Sequence, residues 1–451
     1  MILDKIIQEK RKELSGKPYL NSFISKLKKS NRNFKKAISQ KGINLIAEIK
    51  KASPSRGSIR KDFNLSKVVD AYDVDDVAAI SILTDEKFFQ GKLEYLTKVR
   101  KLTKKPLLRK DFIIDDYQIY EARHYGADAV LLIAAILTKG QIDRFIDVAN
   151  KYNMDCLVEV HTSNELKNVL ETKAEIIGIN NRNLNSLRTD LNTTLRLINK
   201  IPKNKIIVSE SGFSSKEDIE MIKGRVNSIL VGTSLMKEKE IGKKINEFMR
   251  PKIKICGITN QKDALACKNN DIIGFNFYEK SPRYIKKDNA KKIISKLPKD
   301  VLKAGVFVNS SLDEVLNIVK SCKLDIVQLH GDEDNNFIRN VKTKTKKKVI
   351  KAIRVKTTKD VKAAEDFFDA DFLLFDTKKN GIYGGTGKVF DWKLLRKVDK
   401  PFFLSGGLNM QNIKNAIDAT DPYGVDICSG VETKPGKKDV NKIKKITLLV
   451  K

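Results

Sequence analysis

Lysine and glutamate side chains close several short apolar segments in the first half of the chain. Glu48 and Lys50 end one segment, and Lys110, Glu159 and Glu210 end three others. If the segments are neighbouring strands, these side chains meet at one end of a sheet, where they shift one another's pKa values and suit general acid–base catalysis. A partly desolvated lysine would also suit a Schiff base with a sugar ketone. The residues alone leave both chemistries open.

Two segments of small residues in the same half have the composition of a phosphate site. Residues 209–213 read SESGF, and residues 231–235 read VGTSL. Small residues allow backbone N–H groups to approach an anion. Barrel enzymes often bind phosphate after their last two strands. The pattern therefore predicts a phosphorylated ligand without indicating which one.

A thiol and a carboxylate are the candidate reactive groups of the second half. Cys256 ends an apolar segment and precedes Gly257, and Asp376 ends a later segment. A base and an acid on opposite sides of one barrel mouth suit proton transfer along a sugar carbon chain. Cys267 and Cys322 lack such a position, so we expect them to be inert core residues.

Three glycine-containing segments predict a second phosphate site: residues 383–388 (YGGTGK), 404–408 (LSGGL) and 428–432 (CSGVE). The first is not a nucleotide-binding P-loop, because Ile382 stands where that pattern needs glycine and Val389 where it needs serine or threonine. We expect it to be a loop that closes over a sugar phosphate.

The apolar segments repeat in a pattern that indicates the fold class. Continuous apolar strands separated by helix-length stretches are typical of parallel sheets covered on both faces. Eight strands in each half have the scale of an α/β chain of two tandem (β/α)8 TIM barrels, whose active sites lie at the C-terminal ends of the strands. The predicted strands are 45–50, 77–84, 106–112, 129–136, 156–160, 176–181, 205–211 and 228–236, then 252–258, 271–278, 302–308, 324–330, 349–355, 371–377, 401–408 and 424–432.

We place the two domains at residues 1–250 and 251–451, with residues 1–44 as a helical extension before the first barrel strand. A doubly wound sheet would also alternate strands and helices. It usually has fewer strands per domain and a glycine-rich turn after the first one, which neither half has. Two barrels are the better account.

Composition narrows the class of protein. The five cysteines form no C-x-x-C pair, which favours a reducing cytoplasm over a disulfide framework, and three histidines offer few ligands for a metal. No apolar run approaches the roughly 20 residues of a membrane span, and the charged N-terminus does not resemble a signal peptide. We expect a cytoplasmic protein with no metal, no cofactor and no membrane partner.

The net charge of +32 allows two interpretations. One is nucleic-acid binding, which would have to survive physiological salt. The other is a lysine-rich surface that steers small anionic substrates. Lysines alternate with acidic residues, as in 237–240, and the dense run 342–348 lacks aromatic residues. We therefore expect small phosphorylated substrates, no nucleic-acid partner and a monomer.

The first half resembles indole-3-glycerol-phosphate synthase across residues 1–250. The resemblance rests on 46–57 (IAEIKKASPSRG), 106–112 (PLLRKDF), 159–161 (EVH), 178–184 (GINNRNL) and 209–212 (SESG). It implies closure of the indole ring of a carboxyphenylamino-deoxyribulose phosphate, with loss of carbon dioxide and water. Lys110 would protonate the departing oxygen, and Glu159 would take up a proton during rearomatisation and dehydration.

The same resemblance implies the remaining roles in this half. Glu48, Lys50 and Glu210 would hold the proton-transfer network, while Asn180 and Arg182 would position the substrate's carboxylate and hydroxyls. The implied phosphate contacts are Ser53, Ser211, Gly212, Gly232 and Ser234, and the implied aromatic contacts are Phe89 and Phe112, for which core packing is the alternative.

The second half resembles phosphoribosylanthranilate isomerase across residues 252–451. The matching segments are 254–259 (KICGIT), 281–285 (SPRYI), 328–331 (QLHG), 375–377 (FDT), 384–387 (GGTG), 405–408 (SGGL) and 429–432 (SGVE). The resemblance implies an Amadori rearrangement. Asp376 would protonate the furanose ring oxygen, and Cys256 would remove the C2′ proton to give an enolamine that becomes the ketone.

In this half Arg283 would hold the anthranilate carboxylate, and His330 would contact the substrate or pack behind it. The implied phosphate contacts are Gly385, Gly387, Gly406, Gly407, Ser429 and Gly430. Cys428 departs from the family pattern, which has serine there, and this puts the phosphate affinity in question. We expect His161 and His124 to be structural.

The two resemblances support each other, because the isomerase product is the synthase substrate. Together they imply a bifunctional enzyme of tryptophan biosynthesis. A related barrel, the histidine-pathway isomerase, would have aspartate in place of Cys256. Decay of one half to a scaffold is disfavoured by the intact acid–base sets.

Overall fold

The computed structural model describes residues 2–15, 21–54, 57–183, 188–378, 389–395 and 398–450. The chain divides into two compact units, residues 1–249 and 250–451. Each unit contains a closed barrel of eight parallel strands. Within the described ranges, no helix has both the length and the apolar character needed to cross a membrane.

In the first unit each strand pairs with its neighbours in sequence, and the last pairs with the first. The strands are β1 Asn44–Ile49, β2 Val77–Leu83, β3 Leu107–Lys110, β4 Ala129–Ile133, β5 Asp155–Val160, β6 Ile176–Asn180, β7 Ile206–Glu210 and β8 Ser228–Val231. The helices are α1 Ile2–Ser15, α2 Asn21–Ile24, α3 Phe34–Ala37, α4 Leu65–Tyr72, α5 Glu86–Phe89, α6 Glu94–Leu102, α7 Asp116–His124, α8 Lys139–Asn150, α9 Ser163–Leu170, α10 Asn192–Ile198, α11 Lys216–Glu220, α12 Thr233–Lys237 and α13 Ile241–Met249.

The second unit repeats this ring. Its strands are β9 Lys252–Cys256, β10 Ile272–Asn276, β11 Leu302–Phe307, β12 Ile326–Leu329, β13 Lys348–Val355, β14 Phe372–Thr377, β15 Phe402–Leu404 and β16 Gly424–Ile427. Its helices are α14 Gln261–Ala266, α15 Lys287–Ile294, α16 Leu312–Cys322, α17 Asn335–Thr345, α18 Thr358–Lys362, α19 Ile413–Thr420 and α20 Val440–Val450, with 3-10 turns at Ala363–Asp366, Trp392–Leu395 and Ser429–Val431.

Successive side chains of each strand point alternately into the barrel and outward. In each barrel one apolar cluster therefore fills the lumen, and another packs between the strands and the helices. In β1, Ile46 points into the lumen, while Leu45 and Ala47 pack outward against the helices. Because side chains two residues apart share a face of a strand, the residue two positions after a lumen residue stands one layer higher. This rule places the reactive groups at the mouth.

The predicted fold class is confirmed, and all sixteen predicted strands are present. Several of them end earlier than predicted. The strand predicted for 228–236 stops at Val231, because Gly232 precedes the helix that begins at Thr233. The strand predicted for 424–432 stops at Ile427, and a 3-10 turn follows. Within the described part of residues 1–44, the helical extension consists of one long helix and two single turns.

Candidate active sites in the two barrels

Three carboxylates and one amine of the first barrel stand directly above apolar lumen residues. Glu48 follows Ile46 by two positions, and the same spacing relates Lys110, Glu159 and Glu210 to Leu108, Leu157 and Val208. The apolar layer therefore closes the barrel beneath the charges, and the charges meet at the C-terminal mouth.

Lys110 is the centre of this group. Its Nζ lies 3.0 Å from Glu159 Oε2 and 2.7 Å from Glu210 Oε2. Both glutamate side chains are almost fully buried, whereas the lysine keeps some exposure to the mouth. The lysine therefore bridges two carboxylates on strands β5 and β7.

Burial and charge oppose each other in this group. Burial alone would lower the pKa of Lys110, but the carboxylates of Glu159, Glu210 and Glu48 outweigh it and raise the pKa well above the ordinary lysine value. Burial would raise the pKa of Glu159, but Lys110 and His161 outweigh it and lower it. Burial, opposed by Lys110 and assisted by Glu159, raises the pKa of Glu210 to about 7. The site thus holds a carboxylate, an ammonium and a carboxyl group that exchanges its proton near neutrality.

His161, which we expected to be structural, lies next to this group. Its Nε2 is 3.3 Å from Glu159 Oε1, and its Nδ1 is 3.2 Å from Glu165 Oε2. Burial would lower the pKa of His161, but the two glutamates outweigh it and raise it to about 10. The imidazole is therefore charged and helps to keep Glu159 ionised. The sequence signal was its position two residues after Glu159.

Glu48 and Lys50 form a second ion pair at the mouth. The pair needs glycine opposite it, since a Cβ added at Gly232 would lie 2.2 Å from Glu48 Oε1. Gly178 makes the same room for Glu210 Oε1, also at 2.2 Å. On β6, Asn180 Oδ1 accepts the backbone N–H of Arg182 at 2.9 Å. These contacts fix the positions of the predicted side chains around Lys110.

A cavity of about 560 Å3 opens beside this pair. Ser211, in the left-handed region with φ of 66°, lines it. Such a backbone conformation is strained for a residue with a side chain and is often found at functional sites. The Ser234 hydroxyl also lines the cavity and donates to the Phe213 carbonyl. The other predicted residues along this wall are Glu48, Lys50, Arg182, Gly212 and Gly232.

A smaller apolar cavity adjoins Lys50. Phe89 and Phe112 line it, with ring centroids 6.1 Å apart, and Ser53 lines it rather than the larger cavity. Lys50 and Arg182 border both spaces. Helix α1 supplies three further residues that sequence reasoning missed, Ile2, Leu3 and Ile6. Their spacing along one face of the first helix was the available signal.

Helix α1 is anchored at the mouth by a buried lysine. Lys10 Nζ lies 3.0 Å from Asp111 Oδ1, 3.1 Å from Asp85 Oδ2 and 2.9 Å from Glu13 Oε2. Asp111 also accepts from Arg109 Nη2 at 3.0 Å. Since Asp111 follows Lys110 in the chain, the helix is tied to the turn next to the central lysine.

Most of the predicted groups of the second barrel line one cavity of about 410 Å3. Those along its wall are Cys256, Arg283, His330, Asp376, Gly406, Gly407 and Ser429. Gly430 instead packs against the neighbouring loop, where an added Cβ would lie 1.9 Å from the Leu408 carbonyl oxygen. Gly385 and Gly387 lie outside the described residues. No group of three or more His, Cys, Asp or Glu side chains in the described ranges could hold a metal ion.

Cys256 stands above a buried ion pair. Lys254 Nζ lies 2.9 Å from Asp426 Oδ2 inside the lumen, and Lys254 is fully buried. A hydrogen bond from Cys428 lowers the pKa of Cys256 to about 7, with burial and Asp426 opposing and Lys254 and Lys438 assisting. The serine-to-cysteine departure therefore lies beside the candidate base.

Asp376 has the character of an acid. Burial, opposed by the backbone N–H of Thr377, raises the pKa of Asp376 to about 6. His330 Nε2 is 3.7 Å from Asp376 Oδ2, and His330 Nδ1 is 3.0 Å from Gln328 Nε2. Burial and nearby cations lower the pKa of His330 to about 3. The imidazole is thus neutral, and donation from Gln328 to Nδ1 places its proton on Nε2, facing Asp376.

Arg283 is held by a carboxylate on the last loop of the barrel. Its Nε and Nη2 donate to Glu432 at 3.0 and 2.8 Å, and Glu432 also pairs with Lys438 at 2.8 Å. This two-point contact fixes the plane of the guanidinium at the edge of the cavity. Sequence reasoning predicted Arg283 but not its partner.

The fold and the two sites define a tandem pair of (β/α)8 enzyme domains. A family model for indole-3-glycerol phosphate synthase matches residues 3–248, and one for N-(5′-phosphoribosyl)anthranilate isomerase matches residues 253–448. The chain is 40% identical to the tryptophan biosynthesis protein TrpCF of Helicobacter pylori over 453 aligned positions, covering 100% of this chain and 99% of that protein. It is 37% identical to TrpCF of Vibrio cholerae, covering 99% and 95%.

Among solved structures, phosphoribosyl anthranilate isomerase from Thermotoga maritima is 40% identical and covers 44% of this chain and 97% of that one, with a TM-score of 0.41. The family follows from the full-length relatives. The chain belongs to the TrpCF family of tryptophan biosynthesis proteins, with its synthase domain first and its isomerase domain second.

Proposed function

We propose that the two barrels catalyse consecutive steps of tryptophan biosynthesis. Residues 251–451 isomerise N-(5-phosphoribosyl)anthranilate to 1-(2-carboxyphenylamino)-1-deoxyribulose 5-phosphate. Residues 1–250 close the indole ring of that ketone to give indole-3-glycerol phosphate, carbon dioxide and water. The observation that carries the proposal is the presence of one matched acid–base set at each mouth: Lys110 between Glu159 and Glu210, and Cys256 with Asp376 along one cavity.

In the isomerase step, Asp376 gives its proton to the furanose ring oxygen and the ring opens to an imine. The Cys256 thiolate then removes the C2′ proton, and the resulting enolamine becomes the ketone. The raised pKa of Asp376 and the lowered pKa of Cys256 bring both proton transfers close to neutrality, where a minor fraction of the molecules holds the protonated acid and the thiolate together. Since Arg283 uses Nε and Nη2 to hold Glu432, it binds the anthranilate carboxylate through Nη1.

In the synthase step, the Lys110 ammonium gives a proton to the ketone oxygen as the carbon–carbon bond forms, and carbon dioxide leaves. Glu159, kept ionised by Lys110 and His161, accepts a proton during rearomatisation and dehydration. Glu210 shares the proton of Lys110. The apolar cavity of Phe89, Phe112 and helix α1 would receive the anthranilate ring, and the larger cavity would receive the phosphate.

The remaining phosphate contacts of the isomerase would come from Gly406, Gly407 and Ser429 on the cavity wall, with Gly385 and Gly387 expected from the sequence. We also propose that the protein works in the cytoplasm, where Cys256 stays reduced. A monomer suffices for catalysis, since each proposed site is built from residues of one barrel.

A two-substrate assay tests the proposal. Wild type, Cys256→Ala and Lys110→Ala are given phosphoribosylanthranilate or the ketone, and loss of anthranilate-type fluorescence and formation of indole-3-glycerol phosphate are followed. We expect Cys256→Ala to convert only the ketone, and Lys110→Ala to accumulate the ketone from phosphoribosylanthranilate. Cys322→Ala and Lys139→Ala, outside both sites, are the matched controls. Wild-type protein that turns over neither substrate would refute the assignment.

A further inference from the structure

Cys256 and Cys428 are neighbours on adjacent strands of the second barrel. In the ladder between β9 and β16, Lys254 is opposite Asp426 and Ile255 is opposite Ile427. The residues that follow on the two strands are Cys256 and Cys428. A Cβ added at Gly257, directly after Cys256, would lie 3.1 Å from Cys428 Sγ, and each thiol shifts the pKa of the other. Both line the cavity that the substrate would enter. The mouth of this barrel therefore carries a dithiol.

Cations surround this pair. Lys438 Nζ lies 3.8 Å from Cys428 Sγ and 3.1 Å from the Cys428 carbonyl oxygen, and buried Lys254 approaches from below. For Cys256 this environment favours the thiolate form, which is the form that hydroperoxides oxidise. The neighbouring Cys256 and burial raise the pKa of Cys428, which therefore stays a thiol. Burial raises the pKa of Cys156 and of Cys267 instead. Cys256 is thus chemically distinct from these two cysteines.

The backbone allows the two sulfurs to bond. Neighbouring strands are about 4.8 Å apart, which falls within the roughly 4.4–6.8 Å between Cα atoms that a disulfide spans. Cys428 has already left the strand, with φ of −119° and ψ of −82° before the 3-10 turn. Cys256 ends β9 and is followed by Gly257 at φ of 77°. Neither cysteine is held within a continuing strand on its C-terminal side, so small shifts are available.

We propose that Cys256 and Cys428 form a reversible oxidation site for hydroperoxides. The Cys256 thiolate attacks one oxygen of hydrogen peroxide, the O–O bond breaks, and hydroxide leaves as Cys256 becomes a sulfenic acid. The hydroxide takes up the proton that Cys256 released on ionising and becomes the first water. The Cys428 thiol then attacks the Cys256 sulfur, its proton passes to the departing oxygen as the S–O bond breaks, and a second water leaves. The two thiols lose two electrons, and the peroxide is reduced to two waters. Loss of isomerase activity in the disulfide form rests on the proposed role of Cys256 as base.

The experiment treats the full chain with hydrogen peroxide and measures chemistry and activity separately. After tryptic digestion without reductant, mass spectrometry should find peptide 255–262 linked to peptide 415–437, lighter by two hydrogens than the two free peptides together. We expect isomerase activity to fall in proportion to the linked fraction and to return with dithiothreitol. Synthase activity on supplied ketone should stay unchanged in the same samples, because its barrel contains only Cys156.

Cys428→Ser separates the dithiol from oxidation of one thiol. In this variant peroxide should carry Cys256 to the sulfinic acid, seen as two added oxygens on peptide 255–262, and dithiothreitol should not restore activity. Cys322→Ser, the control, should still form the linked peptide. Absence of the linked peptide in wild type would overturn the oxidation site. A linked peptide with full isomerase activity would leave the site standing and overturn the proposed role of Cys256.

Discussion

The isomerase should show a narrow pH optimum on the acidic side of neutrality. Its reactive form needs the Cys256 thiolate and the protonated Asp376 together. The pKa of the base is lowered to about 7, and that of the acid is raised to about 6. Because the acid loses its proton before the base does, the reactive form is always a minor species, and its fraction peaks midway between the two values.

The magnitudes follow from these two values. At about pH 6.5 each group is in its required state in about one quarter of the molecules, so about 6% carry both. Two pH units away from this maximum, the fraction of molecules with both reactive states falls about twentyfold. At lower pH the Cys256 thiolate is lost, and at higher pH the Asp376 carboxyl group loses its proton. The assay is kcat/KM for phosphoribosylanthranilate between about pH 5 and pH 9, with synthase turnover of supplied ketone as the internal reference.

The Cys428→Ala variant tests whether the fall in isomerase rate at low pH comes from protonation of the Cys256 thiolate. The hydrogen bond from Cys428 is the largest influence lowering the pKa of Cys256, with Lys254 and Lys438 assisting and Asp426 opposing. Its removal should move that pKa toward the ordinary thiol value of about 8.5 and move the optimum upward by up to about 0.7 pH unit. Cys322→Ala is the control. A wild-type rate that keeps rising up to pH 9, or a variant with an unshifted profile, would refute this account.

Two further substitutions test contacts described above. Lys10→Met removes the ammonium group from two buried carboxylates, Asp85 and Asp111, of which Asp111 keeps its contact with Arg109. It should cost about 3 kcal/mol of first-barrel stability. Thermal loss of synthase activity should move to lower temperature, while the fluorescence transition of Trp392, the single tryptophan and part of the second unit, stays in place; an unchanged synthase melt would contradict this. Glu432→Gln removes the ionic contact that orients Arg283, so KM for phosphoribosylanthranilate should rise about tenfold with kcat little changed. A fall in kcat alone would contradict that role.

Much of the architecture follows from the sequence because parallel barrel strands are apolar on both faces. The strand count and fold class needed only those runs and the helix-length stretches between them. Strand ends were predicted less well. The predictions for 228–236 and 424–432 each joined a strand to the turn that follows it, because the small residues at 232 and 429 do not interrupt the apolar pattern.

The sites were predictable where a reactive residue ends a strand and less so where its partner comes from elsewhere. Lys110 and Asp376 were proposed from their positions at strand ends, and the structure places them at the mouths of the two barrels. The contacts of α1 with the apolar cavity, the pairing of Arg283 with Glu432, and the hydrogen bond between Cys428 and Cys256 are all long-range in sequence. Local periodicity carries no information about which distant residues meet, so these required the folded chain.

The layered lumen also bears on how such chains diversify. In both barrels apolar or ion-paired layers close the lumen below the mouth. The groups proposed for catalysis stand at the last position of a strand or next to it. Exchanging a few strand-end side chains changes the reaction while the layers beneath continue to specify the fold. Lys110 in one half and Cys256 in the other are two outcomes of that freedom, carried by a single polypeptide.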